Sequence, residues 1–160
     1  SFEMIRAKDI MTKNVITISP ESTIREAAKQ ISSKSVSVLV GIEKNKPIAI
    51  VTENDIVKGV ITEKTRVRDI MSKDYITVSP GTKFSEISRY LREKKIKRFP
   101  VVENEKLIGL ITETDIIEAT RDFTRFNQII QDAILAIFGL ATAFFLFYFS
   151  PLGASIFRYS

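Results

Sequence analysis

The chain has 160 residues, 44% of them apolar, and a formal charge of +5. That length holds one compact domain of ordinary size with an appendage, and that apolar share excludes disorder for most of it. With no cysteine and no histidine, disulfides, thiolate zinc sites and cysteine nucleophiles are excluded, and metal and acid/base chemistry lose their commonest side chains. The positive balance favours anionic partners such as nucleotides, nucleic acid or lipid headgroups. Residues 1–3, ahead of Met4, read as a cloning remnant, and nothing near the start has the basic and apolar regions of a signal peptide.

Residues 5–60 slide over 65–120 without a gap and share roughly 18 identities, so two copies of one unit are the minimum description of that span. In the first copy Val15-Ile16-Thr17-Ile18 is a short β-branched strand closed by Ser19-Pro20. Ile24, Ala27, Ala28 and Ile31 then recur at helical spacing, with Arg25, Glu26, Lys29 and Gln30 on the other face. A strand from Val36 to Ile42, a turn at Glu43 to Lys46, a strand from Pro47 to Val51 and a helix opening at Thr52 complete a β-α-β-β-α unit. The second copy repeats it: Tyr75 to Val78, Ser79-Pro80, a helix with Phe84, Ile87 and Leu91 inward, strands Arg98 to Val102 and Leu107 to Ile111, and a helix from Thr112. A unit of about 55 residues is marginal alone, so the two are expected to pack sheet against sheet about a pseudo-twofold axis. The fold class is α/β (α+β), with repeats at 5–62 and 63–120.

Four features carry a family resemblance: the Asp-Ile-Met opening, Ser-Pro before the first helix, the Arg98-Phe99-Pro100-Val101-Val102 strand, and Thr-x-x-Asp at the last helix of each copy. In their order and tandem recurrence they resemble the cystathionine β-synthase (CBS) domain, paired as a Bateman module. The resemblance covers about three quarters of the chain. It implies a regulatory sensor that binds adenosyl ligands (AMP, ADP, ATP or S-adenosylmethionine) in two clefts between the repeats, in disc-like homodimers. The helix-opening Asp then takes the ribose hydroxyls and the Thr meets the phosphate side, which suits a helix N-terminus. Without a ligand, Thr52-x-x-Asp55 and Thr112-x-x-Asp115 also read as capping boxes.

By the family pattern, the preferred cleft holds Thr112 and Asp115, completed by Arg98 from its own repeat and by Ile16, Val36, Ser37 and Thr12 from the other. The second cleft holds Thr52 and Asp55 with Ile76, Ile96 and Lys97. The counterpart of Arg98 is Val38, so the second cleft is expected to lack a guanidinium anchor. Ala49, where the other copy has Gly109, is expected to crowd a ligand there. Arg98 also has a plainer reading as a solvated cation beside Glu103 or Glu105.

Beyond Thr120 the composition changes. Residues 121–128 read as a mixed connector, 129–149 as an apolar helix whose one charge is Asp132, and 150–160 as a short tail. Twenty-one residues at 1.5 Å each match the hydrocarbon thickness of a bilayer, and the run is apolar on every side. The expectation is a single C-terminal membrane pass. Arg121 and Arg125 would lie at the near interface, Tyr148 and Tyr159 at the far one, and the basic domain on the cytoplasmic side. Gly139 and Ala143 form a small-residue face on which two anchors could pair. The alternative is a cytoplasmic protein whose helix buries its apolar surface in a dimer.

Three function classes follow: a ligand sensor acting in trans on an unidentified regulated protein, a nucleic-acid binder using Lys94, Lys95, Lys97 and Arg98, and an enzyme. No groove-reading helix accompanies the basic cluster. The acidic residues are accounted for by caps, turns and ribose binding, so neither catalysis nor a catalytic cofactor is expected.

Overall fold

The computed structural model describes residues 2–158, with side chains over 3–155, and divides into two compact units, Ser1–Ala119 and Thr120–Ser160. In the first unit, β1 (Thr17–Ile18), β2 (Val38–Glu43) and β3 (Lys46–Thr52) form one sheet, with β1 parallel and β3 antiparallel to the central β2. Strands β4 (Arg98–Glu103) and β5 (Lys106–Thr112) form the second. Both hairpins turn through two residues at positive φ, Lys44-Asn45 and Asn104-Glu105. That is the geometry whose twist matches the flanking strands.

The expected strand at Tyr75–Val78 shrinks to a single parallel bridge, Val78 to Val101. Its first-copy counterpart survives as β1 because the Val40 N–H donates to the Ile16 carbonyl at 3.0 Å. The residue matching Val40 is Pro100, which has no N–H to give, so the ladder there loses a rung.

Helix α2 (Ile24–Lys34) turns Ile24, Ala27 and Ile31 inward and is capped by Thr23, whose hydroxyl accepts from the Glu26 N–H while Glu26 accepts from the Thr23 N–H. Helix α4 (Phe84–Lys94) buries Phe84 and Ile87, with Leu91 half-buried. Helix α3 (Glu53–Ile61) follows β3, and helix α5 (Glu113–Tyr148) follows β5.

The repeats exchange their leading segments. Thr12 forms a two-bond bridge with Leu110 (2.9 and 3.0 Å), and its counterpart Ser72 does the same with Ile50 (2.8 and 2.8 Å). Helix α1 (Ala7–Ile10) therefore delivers Ala7 to the core of Phe84, Ile87, Phe99, Val101, Ile111 and Ile116. Val67 instead joins Ile24, Leu39, Val51 and Ile56. Gly59 makes room for this swap: a Cβ there would stand 2.7 Å from Ile70 Cγ2 and 2.9 Å from Ile24 Cδ1. A third cluster, Val38, Val40, Ile50 and Leu110, joins the two sheets. The repeat boundaries in sequence are thus not boundaries in the core.

In the second unit, residues 121–128, read as a connector, are helical and lie within α5. The tail forms α6 (Pro151–Arg158), and Tyr159 lies outside the described residues. Between the helices Ser150 Oγ donates to the Phe147 carbonyl at 2.7 Å and accepts from the Gly153 N–H at 3.0 Å, with Pro151 at the first helical position. A Cβ on Gly153 would stand 1.8 Å from the Phe147 oxygen, so this turn requires glycine. Every residue from 124 to 149 is exposed, Phe138 and Leu140 by more than 70%. The one charge in the apolar run, Asp132, accepts from Gln128 Nε2 at 3.0 Å.

Segment exchange has a measurable signature. Val67→Ala should cost about 1.5–3 kcal/mol, and in double-mutant cycles it should couple to Ile24→Ala by at least about 0.5 kcal/mol while adding independently to Ile87→Ala. Denaturant unfolding of the full chain in mild detergent reads both cycles, and coupling to Ile87 alone would contradict the exchange.

Candidate functional site

Two clefts of about 300 and 290 Å³ lie at pseudo-equivalent positions in the first unit, at the lower end of the size range for small-molecule sites. Each is built by one rule. The residue ending the first helix of a repeat, Ser35 (φ 53°) or Lys95 (φ 59°), is left-handed. The residues that follow, Val36, Ser37 and Val38 in one repeat and Lys97 and Arg98 in the other, line the cleft at the start of the opposite repeat's last helix.

At that helix start, Thr52 N–H and Oγ1–H both donate to Asp55 Oδ2 (2.8 and 2.9 Å), and Asp55 N–H donates to Thr52 Oγ1 at 3.3 Å. Thr112 and Asp115 repeat the arrangement at 2.9, 3.1 and 3.4 Å. Both Thr-x-x-Asp motifs are therefore capping boxes. Capping consumes one carboxylate oxygen only. Asp55 Oδ1 has no protein partner among the described residues, and Asp115 Oδ1 has only a long 3.4 Å contact from the Thr12 hydroxyl. Since a carboxylate can accept about four hydrogen bonds, the cap leaves acceptor capacity free on each side chain.

The Thr112/Asp115 cleft brings together Thr12, Ile16, Val36 and Ser37 as expected, and adds Asn14, Val38 and Glu118. Arg98 is not among them. Its Cα pairs with Thr112 across the hairpin, but its side chain lines the Thr52/Asp55 cleft with Lys95, Lys97, Ser72 and Asp74. The guanidinium expected beside Thr112 and Asp115 thus lines the Thr52/Asp55 cleft instead. Strand β4 stays paired in its own hairpin, and it is the Arg98 side chain that reaches the opposite repeat's cleft, just as Val38 reaches that of Asp115.

Ile76 and Ile96, expected in the Thr52/Asp55 cleft, are half-buried against the second core instead. The rim positions beside them hold Lys95, Lys97 and Arg98, where the other cleft has Ser35, Ser37 and Val38. Ala49 does not crowd this cleft. It is fully buried opposite Gly41, 3.3 Å from where a Cβ on Gly41 would stand, while in the second copy Val101 faces Gly109. The small residue has changed strands, and the Cβ space above Gly109 is taken by Met11.

Arg98 is not the solvated partner of Glu103 or Glu105: Glu105 pairs with Lys46 at 3.4 Å. The guanidinium donates only to the Lys97 carbonyl, at 3.4 Å, and its Nε is buried with no acceptor. Lys97 reaches Glu113 at 3.7 Å. Lys94, fourth of the basic cluster, stands 5.3 Å over the Tyr90 ring. The cluster is divided between a cleft and an aromatic face.

A family profile described as CBS domain matches residues 7–62 and 67–122. The chain belongs to the CBS domain family. As a tandem CBS pair it is similar to protein MJ1225 of Methanocaldococcus jannaschii, 30% identical over 125 residues, which are 76% of this chain and 45% of the relative. It spans between 40% and 60% of the length of that protein and two further relatives. Among solved structures, the CBS domain pair of protein MJ0100 in complex with 5′-methylthioadenosine and S-adenosyl-L-methionine is similar at TM-score 0.68 and 26% identity, covering 74% of this chain and 97% of that one. CBSX2 in complex with AMP is similar at 0.65 and 25%, covering 74% and 98%.

Because the acids cap their helices, Asp55→Ala should destabilise the full chain by about 1 kcal/mol. Asp55→Asn keeps an acceptor for the Thr52 N–H and should lose less than half as much in the same denaturant titration. Equal losses would mean that the carboxylate charge, not the cap, is what matters.

Proposed function

We propose that this CBS pair is a regulatory sensor of adenosyl ligands, held at a membrane by its apolar helix and acting on a partner protein in trans. The observation that carries the ligand reading is the open Asp55 Oδ1 in the same cleft as Arg98, whose guanidinium has no carboxylate partner among the described residues. One is an acceptor for a ribose diol, the other a forked donor for a phosphate, within one cleft. The solved pairs holding AMP, or methylthioadenosine and S-adenosylmethionine, support the ligand class. Occupancy would act by favouring one relative arrangement of the repeats, and the partner would respond to that shift. The roles of Thr52, Asp55, Lys97 and Arg98 in one cleft, and of Thr12, Ile16, Val36, Ser37, Thr112 and Asp115 in the other, belong to this proposal.

A homodimer fits the same picture: Val57, Val60 and Ile61 on α3 and Ile117 on α5 are more than half exposed. Such apolar faces are commonly covered in a complex. The membrane part rests on one helix long and apolar enough to cross a bilayer, with its window uncovered by protein. The basic domain would then lie on the cytoplasmic side.

Calorimetric titration of the full chain in nanodiscs with AMP should give saturable binding, and Asp55→Asn should weaken it about tenfold. Unchanged AMP affinity in that variant would remove the carboxylate from the site. Phe138→Arg, at the middle of the apolar run, adds about 2.5–3.5 kcal/mol to insertion, and should shift the chain from vesicle-bound to free in a flotation assay. Free migration of the wild-type chain would leave the soluble dimer in its place.

A further inference from the structure

We infer that the two clefts take different ligands: a phosphate-bearing adenosyl nucleotide at Thr52/Asp55, and a cationic, phosphate-free adenosyl sulfonium of the S-adenosylmethionine type at Thr112/Asp115. This rests on the adenosyl assignment above and deepens it. The pseudo-twofold axis makes the backbones equivalent, so the side chains that differ decide what each cleft accepts.

The Thr52/Asp55 cleft is lined by Lys95, Lys97 and Arg98 together with Asp55 and Asp74, and Lys97 also reaches Glu113 at 3.7 Å. Arg98 is the least satisfied of them, with a buried Nε lacking any acceptor and one long bond from Nη1. A guanidinium that lines a cleft can meet a phosphate with a bidentate, charge-assisted bond.

The other cleft has Ser35, Ser37 and Val38 at the same three positions. Among its lining residues there is no cation, while Asp115 and Glu118 supply two carboxylates one helical turn apart. Glu118 has no partner among the described residues. A phosphate there would meet two like charges and no counter-ion. An adenosyl sulfonium offers the same nucleoside to Asp115, with positive charge in reach of Glu118 and none to repel it. Charge complementarity therefore selects between ligands that share an adenosine.

Competition calorimetry on the full chain in nanodiscs tests this with AMP and S-adenosylmethionine as probes. Saturating AMP should leave the S-adenosylmethionine titration intact, at one site each per chain. Arg98→Val, which copies the residue of the other cleft, should weaken AMP by about tenfold or more and leave S-adenosylmethionine within about twofold. Glu118→Gln should do the reverse. Arg98→Lys keeps the charge but not the fork, and an intermediate AMP affinity in it answers the question should Arg98→Val fail to fold. Mutual displacement of the two ligands, or equal effects of the Arg98 and Glu118 variants on both, overturns the division and leaves adenosyl binding standing. If neither ligand binds the wild-type chain, both fall.

Discussion

The exchanged leading segments are the constraint from which the rest of the first unit follows. Four short hydrogen bonds, Thr12 with Leu110 and Ser72 with Ile50, tie each repeat's entry to the other repeat's sheet. Those ties place Ala7 in one core and Val67 in the other, both fully buried. A repeat of this size buries too little surface to be stable alone, and here its apolar core is not even complete without its neighbour. The clefts inherit this interdependence, because Thr12 and Ser72 line them from the bridging positions.

The Thr-x-x-Asp motif shows how one residue pair can satisfy a helix start and still leave acceptor capacity over. A helix N-terminus always presents unpaired N–H groups, and a threonine with an acid three residues on settles two of them. The cap uses one carboxylate oxygen and leaves Asp55 Oδ1 without a protein partner among the described residues. Folding alone accounts for the motif. What folding leaves unexplained is Arg98, a half-buried strand-end arginine whose Nε is out of solvent with no acceptor.

The repeat, the element order and both Thr-x-x-Asp motifs were legible in the sequence because each rests on local periodicity or capping chemistry. Two kinds of feature were not. Tyr75–Val78 has good strand composition, yet its pairing depends on a donor 24 residues away, and Pro100 lacks it. The family pattern assigns Arg98 to the Asp115 cleft, and in the hairpin register Arg98 does lie opposite Thr112. Its side chain goes to the other side, and only the left-handed Lys95, a backbone fact with no glycine to announce it, reveals that. The connector at 121–128 was read from mixed composition, but Arg121, Asp122 and Arg125 are ordinary residues for the exposed surface of a continuing helix.

Duplicated folds are free to diverge where packing does not hold them. Positions 39 and 99, or 51 and 111, are wholly buried in both copies and stay large and apolar. Positions 35 and 95, or 37 and 97, are exposed, so serine and lysine serve the backbone equally. Position 38 is nearly buried as valine, whereas arginine at 98 is only partly so. Packing alone would favour valine at both, and the cost of holding a guanidinium there is offset only if something in the cleft meets it. The asymmetry between the clefts is therefore concentrated where it costs folding least, except at Arg98, where a partly buried guanidinium stands in place of an apolar side chain.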